Sequence, residues 1–413
     1  MKVAVIGSGI AGLGAARAFV QAGPHEVTVF EAEGRPGGHV YTVDAGGCAV
    51  DMGFIVCNRE RYPLFFRMLG ELGVTTRPTT MSFSVSLPAE DFEWGSASLD
   101  AVFADRRHLF DPRHWRFVVE VVRFLARARR DLAGGRLAAL SLDEYLAGSP
   151  RELRDRFAVP LAAALWSLAP DRCGAFPAEA YVRFLDHHGM LRPVRPLAWH
   201  TVVGGSRAYL EALLAALRAT GRSTLALGTR VDAIHRDASG VTVVARGRES
   251  RFDRVVVATH ADTALALLAA PTADERCVLG AFRYSANRTV LHTDRAFLPR
   301  RPAAHASWNY VADPDTARVA VTYSMTRLQG HRELFLVTLN PRREPANVLH
   351  DAAFLHPQFD RAAIEAQRLL PHLAGVARTY YAGAHFGFGF HEDALRSGTL
   401  AAARALADDR RWS

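Results

Sequence analysis

The chain has 413 residues, 49% hydrophobic and 22% charged, enough for a large core and more than one domain, which excludes a disordered or fibrous protein. Four cysteines, Cys48, Cys57, Cys173 and Cys277, form no C-x-x-C pair, which argues against a zinc site and for a reducing compartment. The net charge of +8 rests on arginine, Lys2 being the only lysine; basic runs such as Arg127-Ala128-Arg129-Arg130 lack interleaved aromatics and suit an anionic membrane surface or acidic ligand better than nucleic acid.

Residues 2–6 are a short β-branched apolar run, the pattern of a buried parallel strand. Gly7, Gly9 and Gly12 follow at G-x-G-x-x-G spacing, then a small-residue helix over 13–22 and a second strand over 26–30. In such a βαβ unit Gly7 permits the tight turn, Gly9 admits a pyrophosphate and Gly12 lets helix and strand pack closely. The helix start, at Ile10 and Ala11, offers N–H groups and a positive dipole end. Glu31, followed by Ala32, closes the second strand and is placed to accept both ribose hydroxyls, so a dinucleotide site is predicted. Arg35-Pro36-Gly37-Gly38-His39 is a second glycine turn, whose doublet lets backbone press against a flat ligand. Asp51-Met52-Gly53-Phe54-Ile55 makes a further turn, and 62–72 an amphipathic helix.

The pattern changes at Thr80. Residues 82–86 alternate as a half-exposed strand does; 115–132 read as a helix of apolar, aromatic and arginine residues; 141–207 read as mostly helix and turn. Gly204-Gly205-Ser206 precedes a helix with Leu210, Leu213, Leu214 and Leu217 at helical spacing. Strands are predicted over 230–235, 241–246 and 252–258, the last ending in Thr259-His260, a ligand-facing strand end. Strands over 306–311, 319–325 and 333–339 follow, and 379–407 reads as strand, glycine-rich turn and helix. The expected architecture is α/β: a discontinuous Rossmann-type domain of residues 1–79, 196–261 and 379–413, with an α+β substrate domain built from two insertions, 80–195 and 262–378.

In the order of these motifs the chain resembles flavin-containing amine oxidases, phytoene desaturases and protoporphyrinogen oxidases over nearly its whole length. The likeness is strongest at Gly7, Gly9, Gly12, Glu31, Arg35, Gly37 and Gly38, and at Glu392-Asp393-Ala394-Leu395-Arg396-Ser397-Gly398, which is similar to the family's E-G-A-V-x-S-G helix start. The resemblance implies FAD, a GR2-like FAD-binding domain, and N–H groups of Ala394 and Leu395 at the flavin's pyrimidine edge. Val231 matches the position whose backbone holds adenine. With the motif residues above, His39, Met52, Gly53, Phe54, Ile55, Thr259, Gly383 and Glu392 complete the expected cofactor contacts. A narrower likeness, carried by Gly37-Gly38-His39, Trp166-Ser167, His188-Gly189, Trp308-Asn309-Tyr310 and Gly389-Phe390-His391-Glu392-Asp393, is to bacterial FAD-binding proteins encoded beside cyclopropane-fatty-acid synthases.

The chain departs from the amine oxidases in two ways. It has no lysine to hold a water at flavin N5, and Ala382-Gly383 runs into Ala384 instead of an acid. Phe386, Phe388 and Phe390 suggest an apolar mouth without a paired-tyrosine cage for an ammonium. Trp308, Asn309, Tyr310, Tyr323, Phe386 and Phe388 are the candidate substrate contacts. The catalytic base is unassigned, with His39, His260 and Tyr323 as candidates; no spacing marks a metal site or a nucleophile elbow. FAD is expected to be bound without a covalent link, since no cysteine follows Arg378.

The expected activity is oxidation, as desaturation, of an apolar acyl-type or lipid substrate by hydride transfer to flavin N5. Amine oxidation, flavin-dependent isomerisation and a non-catalytic flavin-binding scaffold are the alternatives. No apolar run is long enough to span a bilayer and no leader precedes the first strand, so a cytoplasmic protein is expected. The 115–132 helix is read either as an interfacial helix, giving peripheral contact with the inner membrane surface, or as an ordinary packing helix with a solvated face.

Overall fold

A computed structural model describes residues 1–166, 170–192, 197–312 and 319–412. Ser167 and the expected boundary at 195–196 lie outside the described residues.

A five-stranded parallel sheet runs in the order Ser223–Ala226, Glu26–Phe30, Lys2–Ile6, Arg254–Val257, Thr379–Tyr381. Its strands are apolar on both faces because each face meets a separate core. Val3, Val5, Val27, Val29 and Val256 pack under the Ile10–Ala22, Ser206–Ala219 and His391–Trp412 helices. Ala4, Ile6, Phe30, Val255 and Val257 pack against the antiparallel sheet of Val231–Asp237, Gly240–Ala245 and Arg248–Phe252. Lys2–Ile6 pairs with Glu26–Phe30 on one side and Arg254–Val257 on the other. The chain thus turns opposite ways from its central strand, and this opens a crevice at the strand's carboxyl end, at Gly7. This is the mixed α/β, Rossmann-type architecture expected.

A seven-stranded mixed sheet joins segments far apart in sequence. Its order is Val348–Gln358, Arg283–His292, Leu336–Leu339, Val319–Ser324, Trp308–Ala312, Phe83–Leu87, Phe92–Gly95. The Phe83–Leu87 strand is buried on both faces instead of half-exposed, because it lies inside the sheet, parallel to Trp308–Ala312 and antiparallel to Phe92–Gly95. Helices cover one face of this sheet. The longest, Pro112–Ala133, begins at Pro112, with the Asp111 carboxylate accepting from Arg113 N at 2.9 Å, and ends at Gly134. Its Phe117, Phe124, Leu125 and Ala128 join Tyr181, Val182 and Leu185 of the Ala178–His187 helix in one core. Within the stretch read as mostly helix and turn, Trp199–Val202 is a strand pairing with Thr76–Thr79 and Cys57–Asn58.

Candidate active site

The first glycine turn is shaped for an anion. Gly7 has φ +102°, and a Cβ there would lie 2.8 Å from Ala258 O; a Cβ on Gly12 would lie 1.9 Å from Gly7 O. Gly9 differs: a Cβ there would meet no atom within 4 Å, so its backbone faces open space. No side chain caps the Ile10–Ala22 helix and no acid occupies its first turn, which leaves the N–H groups near Ile10 and Ala11 for a ligand. The second glycine turn docks on the first, with Gly37 N donating to Ser8 O at 3.1 Å and to Ser8 Oγ at 3.2 Å. Glu31 Oε2 accepts from Ser8 N at 3.0 Å and from Ser8 Oγ at 2.6 Å, so the acid is fixed beside the turn. Thr229 N donates to Glu31 O at 2.7 Å, which sets Val231 close to the Glu31 end of the cradle. Arg35 donates to Gly38 O at 3.0 Å and lies over the Tyr41 ring, while Ala32 is exposed just beyond Glu31.

The other end is built where the two long helices of this layer cross. A Cβ on Gly398 would lie 1.9 Å from Ala11 O, and one on Gly14 2.7 Å from Leu395 Cδ1, so the two helices are in backbone contact. This brings the N-terminus of His391–Trp412, with Ala394 and Leu395, to the cradle. The Met52–Ile55 turn closes over the same region. A Cβ on Gly53 would lie 2.0 Å from His39 O, Phe54 N donates to that oxygen at 2.9 Å, and Phe54 stacks on His391 with ring centroids 3.9 Å apart. Met52 is buried and Ile55 O accepts from Thr201 Oγ1 at 3.0 Å. Gly383 N donates to Ser397 Oγ at 2.9 Å, and Thr259 borders Gly7 at the end of its strand. Glu392 is engaged by the protein itself, since its two oxygens accept from Leu64 N and Phe65 N at 2.9 and 3.0 Å and so cap the Pro63–Glu71 helix. Asp393 is likewise held, by Phe388 N at 2.8 Å.

His39 and His260 converge, and a third imidazole joins them. The His39 ring lies 6.5 Å from His260, 5.8 Å from His356 and 5.2 Å from Phe354. Asn287 Nδ2 lies 3.1 Å from His356 Nδ1, and His260 stacks on Tyr284 at 4.3 Å. Burial, with the neighbouring imidazoles second, pushes His39 down to about 3; burial also lowers His260 and His356, so the group is uncharged at neutral pH. His385 is buried, is pushed down to about 3 by burial, and its Nε2 has no partner among the described residues. Sequence reading missed His356, Asn287 and Tyr284. They meet only through the register of two strands, Ser285 opposite His356, and the one signal was Ser285, Asn287 and Thr289 alternating in a strand-like run.

On the substrate side, Trp308 and Tyr323 are cross-strand partners with rings 5.5 Å apart, and Tyr310 shares the Trp308 face. Tyr323 is half-buried and desolvation pushes its phenol up to about 12, so it stays protonated. Asn309 points the other way. Its amide accepts from Ser84 Oγ and Ala306 N and donates to Ala306 O and Thr322 O, which uses its whole capacity to hold three segments together. The three phenylalanines do not form one mouth. Residues 384–386 make a tight 3₁₀ turn, so alternate residues no longer share a face. Phe386 lines a cavity of about 150 Å³ with Tyr381, Leu400 and Arg404; Phe388 lies 5.3 Å from His187; Phe390 lies 4.2 Å from His188 and 5.2 Å from Phe184.

The sequence profile described as flavin containing amine oxidoreductase matches residues 10–356, most of the chain. The chain belongs to this flavin-containing amine oxidoreductase family. FAD is that family's cofactor, and it is the group the open glycine cradle fits. AofH of Mycobacterium tuberculosis is 29% identical over 275 residues, which is 62% of this chain and 56% of AofH, so this chain matches little more than half of that relative. A solved putrescine oxidase variant covers 98% of this chain and 99% of its own at 17% identity and TM-score 0.73. A fatty acid isomerase from P. acnes, described as producing CLA, covers 97% and 98% at 17% identity and TM-score 0.66. At this identity the two structures share the fold with this chain and no more.

Proposed function

We propose that this member of the family is an FAD-dependent oxidoreductase that desaturates an apolar, acyl-type substrate. One observation carries the reading. At the flavin end the acids Glu392 and Asp393 are engaged by backbone N–H groups, and the side chains gathered there are neutral imidazoles and aromatics. An ammonium substrate is held best by a free carboxylate, and these two are already engaged; an acyl chain needs none. The resemblance to proteins encoded beside cyclopropane-fatty-acid synthases supports the same choice.

In this reading residues 1–79, 196–261 and 379–413 hold the cofactor. The first helix start takes the pyrophosphate, Glu31 the ribose, Val231 the adenine and the start of the last helix the pyrimidine edge. Bound there, FAD supplies the hydride acceptor, with dioxygen or a quinone as the final oxidant. Residues 80–195 and 262–378 surround the substrate, with Trp308, Tyr310 and Tyr323 excluding water. His39 or His260, uncharged and half-buried, takes the proton from the neighbouring carbon. The protein works at the membrane surface, where acyl chains are found.

Anaerobic mixing of the purified yellow protein with acyl lipids, polyenes and amines tests this. Bleaching at 450 nm (roughly where oxidised flavins absorb) by acyl lipids alone is expected. Bleaching by amines with peroxide release in air would restore amine oxidation. Conversion of a lipid without net bleaching would make the protein an isomerase, the activity named for the P. acnes protein of the same fold.

A further inference from the structure

The Pro112–Ala133 helix carries two apolar faces, and folding accounts for one. Its inner face, His114, Phe117, Phe124, Leu125 and Ala128, is buried in the helical core. On the outer face Trp115, Val119 and Val122 recur at three- and four-residue spacing and are all exposed. Just ahead of the helix, Phe110 is 88% exposed, and Leu99, one turn from the Phe103 ring that packs on Trp115, is 80% exposed. Large apolar side chains left in water on this scale mark an interaction surface.

Charge identifies the partner. The helix holds six arginines against two acids. Arg116, Arg129 and Arg130 are exposed beside the apolar stripe, Arg113 is exposed at the helix start, and none of the four pairs with a carboxylate among the described residues. Of the two acids, Glu120 is paired with Arg123, and Asp131 is buried and held by Tyr145 and Arg136. A second copy of this chain would set these arginines against their own kind. A convex apolar ridge flanked by unpaired cations matches the interfacial layer of an anionic bilayer, where the helix lies flat with its apolar side chains below the phosphates and its guanidinium groups among them. We infer that this outer face, with Phe110 and Leu99, is the surface by which the protein docks on anionic lipid.

The docking itself does not depend on the oxidoreductase reading; only its use, bringing acyl chains to the flavin, rests on that reading. The two are therefore measured apart. Sedimentation of the full holoprotein with phosphatidylglycerol vesicles is compared with phosphatidylcholine vesicles, at 0.1 M and 0.5 M salt. Binding to phosphatidylglycerol alone, weakened by high salt, is expected. Arg116→Glu with Arg130→Glu should weaken it by about 30-fold or more, since each arginine at an anionic surface is worth about fivefold. Phe110→Ser with Val122→Ser should weaken it without changing the salt dependence. Both pairs are exposed, and unchanged FAD content and melting temperature establish that each variant is folded. Wild-type protein that ignores phosphatidylglycerol vesicles, or variants that bind as well as wild type, would overturn the assignment. So would a concentration-dependent dimer, or capture of an acidic protein partner, abolished by the same substitutions without any vesicle binding. Bleaching by detergent-dispersed acyl chains should survive in every variant; its loss in wild type would count against the oxidoreductase reading and leave the docking surface untouched.

Discussion

Glu31 illustrates how far a single residue can be read in advance. Its distance from the glycines and its place at the end of a strand are local facts, and local geometry fixed its neighbours Ser8 and Glu33. Glu31→Ala removes charge-assisted bonds to ribose and should weaken FAD binding by about 1–3 kcal/mol, measured as the dissociation constant of the refilled apoprotein. Unchanged retention would place the ribose elsewhere. Gly53 is the counter-case: nothing local shows that its missing side chain leaves room for His39 O, because the two segments meet only in the folded chain. Gly53→Ala would drive a methyl to 2.0 Å from that oxygen, so His39 must move. Loss of bound FAD, or a shifted flavin spectrum, is expected in the purified variant, and an unaltered spectrum would show that the turn gives way without consequence. FAD should also be free of any covalent link: Cys48, Cys57, Cys173 and Cys277 all precede Arg378. Acid precipitation is expected to leave a white pellet and a yellow supernatant.

At the scale of elements, helices and the first βαβ unit were legible because periodicity and caps are local signals. Pro112–Ala133 extends the predicted 115–132 by one turn, to its Asp111 cap. Sheet order was not legible, because a strand's burial depends on its neighbours, as Phe83–Leu87 shows. The most consequential hidden junction is at Asp51. The buried carboxylate accepts from Ser206 N and Oγ at the start of the Ser206–Ala219 helix, from Thr42 Oγ1 at 2.5 Å, and from Gln329 Nε2 at 2.9 Å. It joins the glycine-led helix to the short Met325–Gln329 helix, which lies between two strands of the large sheet, although 278 residues separate Asp51 from Gln329. Asp51→Ala leaves those donors buried without an acceptor and should cost about 3 kcal/mol, read as a shift in the urea midpoint at neutral pH. A change within experimental error would mean water replaces the carboxylate.

The folded molecule takes several imidazoles wholly or partly out of water. Their burial depends on packing between segments far apart in sequence and could not be read from the chain alone. It has a cost that pH makes visible. Burial pushes His39, His188, His385 and His391 each down to about 3. In the unfolded chain they titrate near 6.5. Between those values the unfolded state binds more protons than the native state, so stability is full above about pH 6.5 and falls as pH drops below it. Asp51 works in the opposite direction, since burial raises its carboxyl to about 6; between about pH 4 and 6 the native state holds that proton and the unfolded chain releases it. This one group offsets only part of the imidazole effect, because burial also lowers His114 and His292, each to about 4, so near pH 5 unfolding still takes up protons and stability falls with pH. Denaturation in urea from pH 7.5 to 5 should therefore show a flat stability above pH 7 and a steep loss below pH 6. His385→Phe, which removes the imidazole with the unpartnered Nε2 from that packed interior, should make the acid limb shallower. A midpoint that stays constant from pH 7 to 5 would mean that these imidazoles take up protons without unfolding, and that water reaches the interior in which they are packed.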